Sequence, residues 1–167
     1  MDKLRPQQKW LWLSLLVIVL DQVTKQIAEN YLLPHQPVSV LPFFDWYLTY
    51  NPGAAFSFLA DAGGWQRWFF TIVAILVSGL IFHWLRNLSR EETWTAVPLS
   101  LILGGAIGNV IDRLYLGAVI DFIQVWLTPT YAWPAFNIAD AAISIGIVLL
   151  IIGTFVSKPV QNDGAET

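Results

Sequence analysis

The sequence predicts a membrane all-α fold, four transmembrane helices carrying a small β-sheet subdomain on one face of the bilayer. Three observations point there. Of 167 residues, 56% are hydrophobic and only 13% charged, with a mean hydropathy of +0.56; an ordinary soluble domain carries about 25% charged residues. The apolar residues are bunched into four runs, each long enough to cross a hydrocarbon core. Between the first two runs lies a proline-broken stretch of β-rich composition.

Lys3, Arg5 and Lys9 precede the first run, which starts at Trp10. A basic start before a short apolar stretch also fits a secretory signal. No small-x-small pattern follows, however, and the run resumes past Asp21-Gln22-Val23-Thr24-Lys25 through Ile27 and Ala28. An uncleaved span over about 10–28 is therefore expected. Residues 31–66 hold the sheet subdomain. Pro34, Pro37 and Pro42 break helix, Val38–Leu41 and Trp46–Tyr50 read as strands around a turn at Phe43-Phe44-Asp45, and Asn51-Pro52-Gly53 is a turn signal. Further spans are expected at about 68–85, 93–113 and 138–156. The segment Leu114–Trp133 reads as an aromatic-rich loop, and the residues from Lys158 onward as a polar tail. The whole chain reads as one integral membrane domain, 1–167.

Four spans put both termini on one side. Lys3, Arg5, Lys9, Arg86, Arg90 and Lys158 fall in the tails and the middle loop; only Lys25, Arg67 and Arg113 lie at the opposite ends. Basic residues favour the cytoplasmic side, so the termini are expected there and the sheet outside. At about 1.5 Å per helical residue, Asp21 then lies in the outer third of the first span. Asp112, Arg113, Asp121 and Asp140 come to the same outer level. Ionisable groups within spans are costly and by default functional.

The composition excludes several chemistries. A net charge of −3 gives no basic surface for nucleic acid. The absence of cysteine removes disulfides, thiolate metal sites and a cysteine nucleophile. His35 and His83 fall at opposite ends of the bundle and cannot share a metal, and with no cysteine and no His-x-x-x-His spacing a metalloprotease is not expected; no cofactor is expected. Ser57 has no His or Lys at fixed helical spacing to activate it.

Asp121 and Asp140 admit two readings. One is a loop carboxylate plus a helix N-terminal acid favoured by the macrodipole, with Asn137 as N-cap. The other is a carboxylate pair in which one acid keeps a proton while its neighbour acts as base. Gly105, Asn109, Asp112 and Arg113 share one helix face. Asp112-Arg113 fits either an ion pair with an anchoring role or a functional group. Asp21, Thr24 and Lys25 fit a bundle-facing hydrogen-bond cluster. Gly104-Gly105-x-x-Gly108 lies mid-span without a preceding strand, so close helix packing explains it better than a phosphate loop.

These motifs together resemble a known family. Asp21-Gln22-Val23-Thr24-Lys25, Asn51-Pro52-Gly53-Ala54-Ala55-Phe56, Gly108-Asn109-Val110-Ile111-Asp112-Arg113 with Gly117-Ala118-Val119-Ile120-Asp121-Phe122, and Phe136-Asn137-Ile138-Ala139-Asp140 stand in the order found in signal peptidase II. This is the membrane aspartyl protease family of bacteria that processes lipoproteins. The resemblance runs from about Trp10 to Phe155; one departure is Ala141, where the family often has serine. It implies catalysis by Asp121 and Asp140 without a cofactor. Asn51, Asn109, Arg113 and Asn137 would hold substrate and orient the acids, Asp21 would support them, and Gly53 and Ala139 join this set within their motifs. The implied partners are prolipoproteins carrying diacylglycerol on a cysteine, cut just before that residue, together with membrane lipids and globomycin-type cyclic peptide inhibitors. The implied location is the bacterial inner membrane, with the active site and the sheet subdomain at the periplasmic face.

Two rivals compete with this reading. A small proton-coupled four-helix transporter would place its key carboxylate near midplane, whereas these acids gather at one edge. A non-catalytic scaffold would have no use for two acids beside Asn137 and Arg113.

Overall fold

The computed structural model describes residues 7–53 and 64–156. Its elements are α1 (Leu11–Tyr31, after a 3-10 turn at Gln8–Trp10), β1 (Val38–Leu41), β2 (Phe44–Asn51), α2 (Trp65–Asn87), α3 (Thr93–Tyr115), β3 (Val119–Thr128), β4 (Tyr131–Ala132) and α4 (Ile138–Val156). All four α-helices are long and apolar enough to cross a membrane. Ala54-Ala55-Phe56 and Ser57, together with Lys3, Arg5, Lys158 and the polar tail, lie outside the described residues.

Helix α3 is the axis of the bundle. In its most apolar window 61% of residues are buried, against 17% to 28% in the other three helices. Its partners turn a narrow stripe inward and leave the rest to lipid. On α1 the buried stripe is Ser14, Val17, Asp21, Lys25 and Ala28, a 3–4 spacing that keeps one face. Leu16, Leu20, Val23 and Ile27 on its other sides are about half exposed. One apolar cluster joins Ile81 and Leu85 of α2 to Ala96, Leu99 and Leu103 of α3.

The glycine run of α3 allows close approach rather than phosphate binding. A Cβ on Gly108 would stand 2.6 Å from Asp21 Oδ2, and one on Gly105 would collide with the Ala139 carbonyl oxygen. Bare backbone at these two positions lets α1 and the head of α4 press against α3 where the polar side chains sit.

The strands form one antiparallel sheet in the order β1-β2-β3-β4. This corrects the expectation for Leu114–Trp133, which is not a loop: it supplies β3 and β4, half of the sheet. The sheet subdomain is accordingly not contiguous over 31–66, and Trp65 and Gln66 already belong to α2. The hairpin turn falls on Pro42-Phe43 rather than Phe43-Phe44-Asp45. Across β2 and β3, Thr49 faces Asp121 and Asn51 faces Val119. Leu48, Ile120 and Phe122 pack on Ala28 at the end of α1, which seats the sheet on the bundle. The strand β3 also bonds to the segment ahead of α4: Ile123 N–H donates to the Phe136 carbonyl at 2.9 Å and Phe136 N–H returns to Ile123 at 3.0 Å.

Candidate active site

Each polar side chain at this end of the bundle reaches the centre through a local device. Helix α3 stops where the N–H groups of Leu116 and Gly117 both turn back to the Asp112 carbonyl, at 2.7 and 3.2 Å. The Asp112 carboxylate then accepts the Ile120 N–H at 3.2 Å, which fixes the start of β3 and delivers Asp121 to the bundle. On the other side, the β3–Phe136 bridge leads straight into Asn137 and the first turn of α4, where Asp140 sits.

Asn137 joins the two acids. It is fully buried, and its Nδ2 donates to Asp121 Oδ1 at 2.8 Å. Its Oδ1 accepts the Asp140 N–H at 2.8 Å while its own N–H donates to Asp140 Oδ2 at 3.3 Å. The helix cap expected of Asn137 and Asp140 is what forms, and the capping side chain also reaches Asp121. Asn109 Nδ2 donates to Asp140 Oδ1 at 2.7 Å. Asn51 Nδ2 donates to Asp121 Oδ2 at 3.3 Å, and the Gly53 N–H anchors Asn51 Oδ1 at 3.0 Å.

Asp121 is only 2% exposed. Burial, and then the neighbouring Asp140 charge, push its carboxyl up to about 7, against the opposing pull of Asn51, Lys25 and Asn137. A carboxyl that titrates near neutrality is suited to proton transfer.

Arg113 reaches the same centre. Its guanidinium lies 5.9 Å from the Phe70 ring centroid, and Nη1 makes only a long 3.5 Å contact to the Asn109 carbonyl. Its Nε is buried and has no hydrogen-bond partner. An unsatisfied buried donor carries a penalty that a bound acceptor relieves. The expected Asp112–Arg113 alternative of a mutual ion pair is not what forms. Asp112 instead pairs with Lys25 at 2.7 Å.

Beneath the pair lies a buried charge cluster. Lys25 Nζ also contacts Asp21 Oδ2 at 2.7 Å and donates to Asn109 Oδ1 at 3.0 Å. Asp21 Oδ1 accepts the N–H of the fully buried Ala139 at 2.9 Å. Of the expected trio on α1, Asp21 and Lys25 face inward, whereas Thr24 turns back to the Leu20 and Asp21 carbonyls. Gln22 takes its place, donating to Asp112 Oδ1 at 2.8 Å. Gln22, Lys25 and Asp112 are the site members that sequence reasoning left out of the functional set. The i, i+4 spacing of Asp21 and Lys25 already sets Lys25 beside Asp21 in the expected hydrogen-bond cluster. Among the described residues no group of three His, Asp or Glu side chains could hold a metal ion. His35 contacts Tyr47 and His83 contacts Asn87, both away from the centre.

Comparison with known proteins identifies the family. Residues 13–156 match the family model described as signal peptidase (SPase) II. A lipoprotein signal peptidase of Pseudomonas putida is 55% identical over 92% of this chain and 90% of its own length. That of Pseudomonas aeruginosa is 51% identical over 89% of each. Two solved bacterial membrane enzymes superpose with TM-scores of 0.81 and 0.79 at 29% and 30% identity. The first similarity covers 100% of this chain and 99% of the other, the second 95% and 99%. The match spans all four helices and both halves of the sheet, and on it the chain belongs to the signal peptidase II family.

Proposed function

We propose that this protein is an aspartyl endopeptidase that removes the signal peptide from diacylglyceryl-modified prolipoproteins, cutting before the lipidated cysteine. The observation that carries the proposal is the single Asn137 side chain that binds Asp121 while capping Asp140, with Asp121 raised to about 7. Two acids held together, one of them inclined to keep its proton, form the acid and the base of a metal-free hydrolysis.

Asp140, which receives donors from Asn109 and Asn137, takes a proton from water. The water oxygen bonds to the scissile carbonyl carbon as Asp121 gives its proton to the carbonyl oxygen. The resulting diol collapses when Asp140 returns its proton to the departing amide nitrogen. The C–N bond breaks, and the diol proton goes back to Asp121. Arg113 and Asn51 hold the substrate backbone, a role supported by the unpartnered buried Arg113 Nε. A substrate anchored by acyl chains stays in the bilayer and enters sideways, so an outer-interface site meets its lipid-bearing cysteine and still admits water.

The whole chain acts as one unit in the bacterial inner membrane, with cytoplasmic termini and the site near the periplasmic face. Surrounding membrane lipids contact the exposed helix faces, and globomycin-type cyclic peptides compete with substrate for the dyad. Family membership supports this reading over a proton-coupled transporter. A reporter after Lys158 should be cytoplasmic and one near Asp45 external, because the basic residues are distributed that way. The direct test incubates purified protein with lipidated and unlipidated prolipoprotein. The lipidated form alone should be cut, leaving the lipid-bearing cysteine at the new N-terminus. Equal cutting of both forms, or a cut elsewhere, would overturn the proposal.

A further inference from the structure

The reaction outlined above leaves the buried charge cluster unused, although its geometry is specific. Lys25 is 1% exposed and its ammonium has three protons. It meets three acceptors, Asp21 Oδ2 at 2.7 Å, Asp112 Oδ2 at 2.7 Å and Asn109 Oδ1 at 3.0 Å. Each acceptor leads to the dyad by a different route. Asp112 Oδ2 holds the N–H of Ile120, the residue before Asp121. Asp21 Oδ1 holds the N–H of Ala139, the residue before Asp140. Asn109 is an amide whose two ends must be told apart. With Lys25 and Asn137 Nδ2 both donating to its Oδ1, at 3.0 and 3.2 Å, its Nδ2 is directed at Asp140 Oδ1.

We infer that Lys25 is a positioning residue for the proteolytic reaction. It fixes the orientation of the Asn109 amide and, through Asp21 and Asp112, holds the backbone in front of each acid. The inference rests on the Asp121–Asp140 reading of the site. A fixed cation below two tethers sets their separation more narrowly than the tethers alone, because neither carboxylate can swing away without leaving a buried charge unpaired. Asp121 also feels the cluster directly. Among the charged groups acting on it, Asp140 from α4 pushes its titration up and Lys25 from α1 draws it down. Arg113 of α3 interacts electrostatically with Asp121 as well.

Two variants separate positioning from folding. Lys25→Met removes the cation. Lys25→Met with Asp21→Asn keeps the cluster's net charge, and an amide oxygen remains to accept the Ala139 N–H. Both are assayed on lipidated prolipoprotein beside Asp140→Asn, with melting temperature and a pH profile of kcat/KM. Misplacing catalytic groups by a fraction of an ångström costs about tenfold or more. The expected result is kcat lowered by about that factor in both variants, with KM within about threefold of wild type, since the substrate contacts remain. The alkaline limb of the profile should move to higher pH. A folded double variant with wild-type kcat and an unmoved limb overturns the inference. So does failure of both variants to fold, because the cluster then holds the bundle rather than the site. If Asp140→Asn stays active, the dyad reading is the one that fails, which separates the two conclusions.

Discussion

Asn137 and Asp140 cap each other. The Asp140 N–H donates to Asn137 Oδ1 at 2.8 Å, and the Asn137 N–H donates to Asp140 Oδ2 at 3.3 Å. This is a capping box with amide and acid in the usual hydroxyl and acid positions. It satisfies two orphan donors at the head of α4 and also aims one member of a carboxylate pair. On the proposed mechanism, stability and chemistry depend on the same side chain, but on different atoms of it. The cap uses Oδ1, and the link to Asp121 uses Nδ2.

That division makes a prediction. Asn137→Ala loses both functions and should cost about 1 kcal/mol of stability from the cap and most of the activity. Asn137→Asp keeps an acceptor for the Asp140 N–H, so it should recover the melting temperature in part. It cannot donate to Asp121 and adds a third carboxylate beside two, so turnover should stay low. Recovery of turnover along with the melting temperature in Asn137→Asp would show that the Nδ2 link is dispensable.

Asp121 supplies a pH signature. Its folded-state titration near 7 lies above the ordinary carboxylate value of 3.8. Between those values the folded chain holds a proton that the unfolded chain releases. Stability from this group is thus complete below about 3.8 and declines as pH rises towards 7. Asp121→Asn removes the dependence. Melting curves from pH 5 to 8 in one detergent should show wild type losing ground to Asp121→Asn as pH rises. Parallel curves would mean that Asp121 is not perturbed. Activity should follow the same sense, with kcat/KM falling as pH climbs past about 7 and the proton on Asp121 is lost.

How much of this was legible in the sequence depends on distance along the chain. The four helices announce themselves through uninterrupted apolar runs, and β1 and β2 through β-rich composition next to prolines. Strand β3 is equally β-rich, with Val119, Ile120, Phe122, Ile123, Val125, Trp126 and Thr128. Its pairing partner lies far back in the chain, with Thr49 opposite Asp121, and the aromatic residues at Trp126, Tyr131 and Trp133 read as an interfacial loop. The motifs around Asp121 and Asp140 were legible, as was their common depth with Asp21. Depth along a helix does not reveal which residues face each other across helices. For that reason Asp112 seemed a partner for Arg113, its sequence neighbour, when it meets Lys25 and Gln22 from α1.

Arg113 is the next test. Its buried Nε lacks a partner, and its guanidinium carbon lies 5.9 Å from the Phe70 ring centroid. Lysine keeps the charge but offers neither the planar fork nor the stacking. Arg113→Lys should therefore raise KM and lower kcat, with Arg113→Ala worse on both counts. Wild-type kinetics in both variants would reduce Arg113 to an anchor at the membrane surface.

The carboxylate pair itself gives the sharpest expectation. Asparagine matches aspartate in shape but neither accepts a proton from water nor gives one to a carbonyl oxygen at neutral pH. Asp121→Asn and Asp140→Asn should each nearly abolish cleavage of lipidated prolipoprotein while the protein stays folded in the membrane. The two act as one unit, so the double variant should be scarcely slower than either single one. The pH limbs of the wild-type enzyme should likewise belong to the pair rather than to one residue. The described residues include no group of three or more His, Asp or Glu side chains that could hold a metal ion, and the proposed mechanism uses none, so chelators should leave the rate unchanged. Two results would remove the aspartyl mechanism. One is a single Asn variant that retains most of the wild-type rate. The other is activity that is lost to a chelator and restored by a metal.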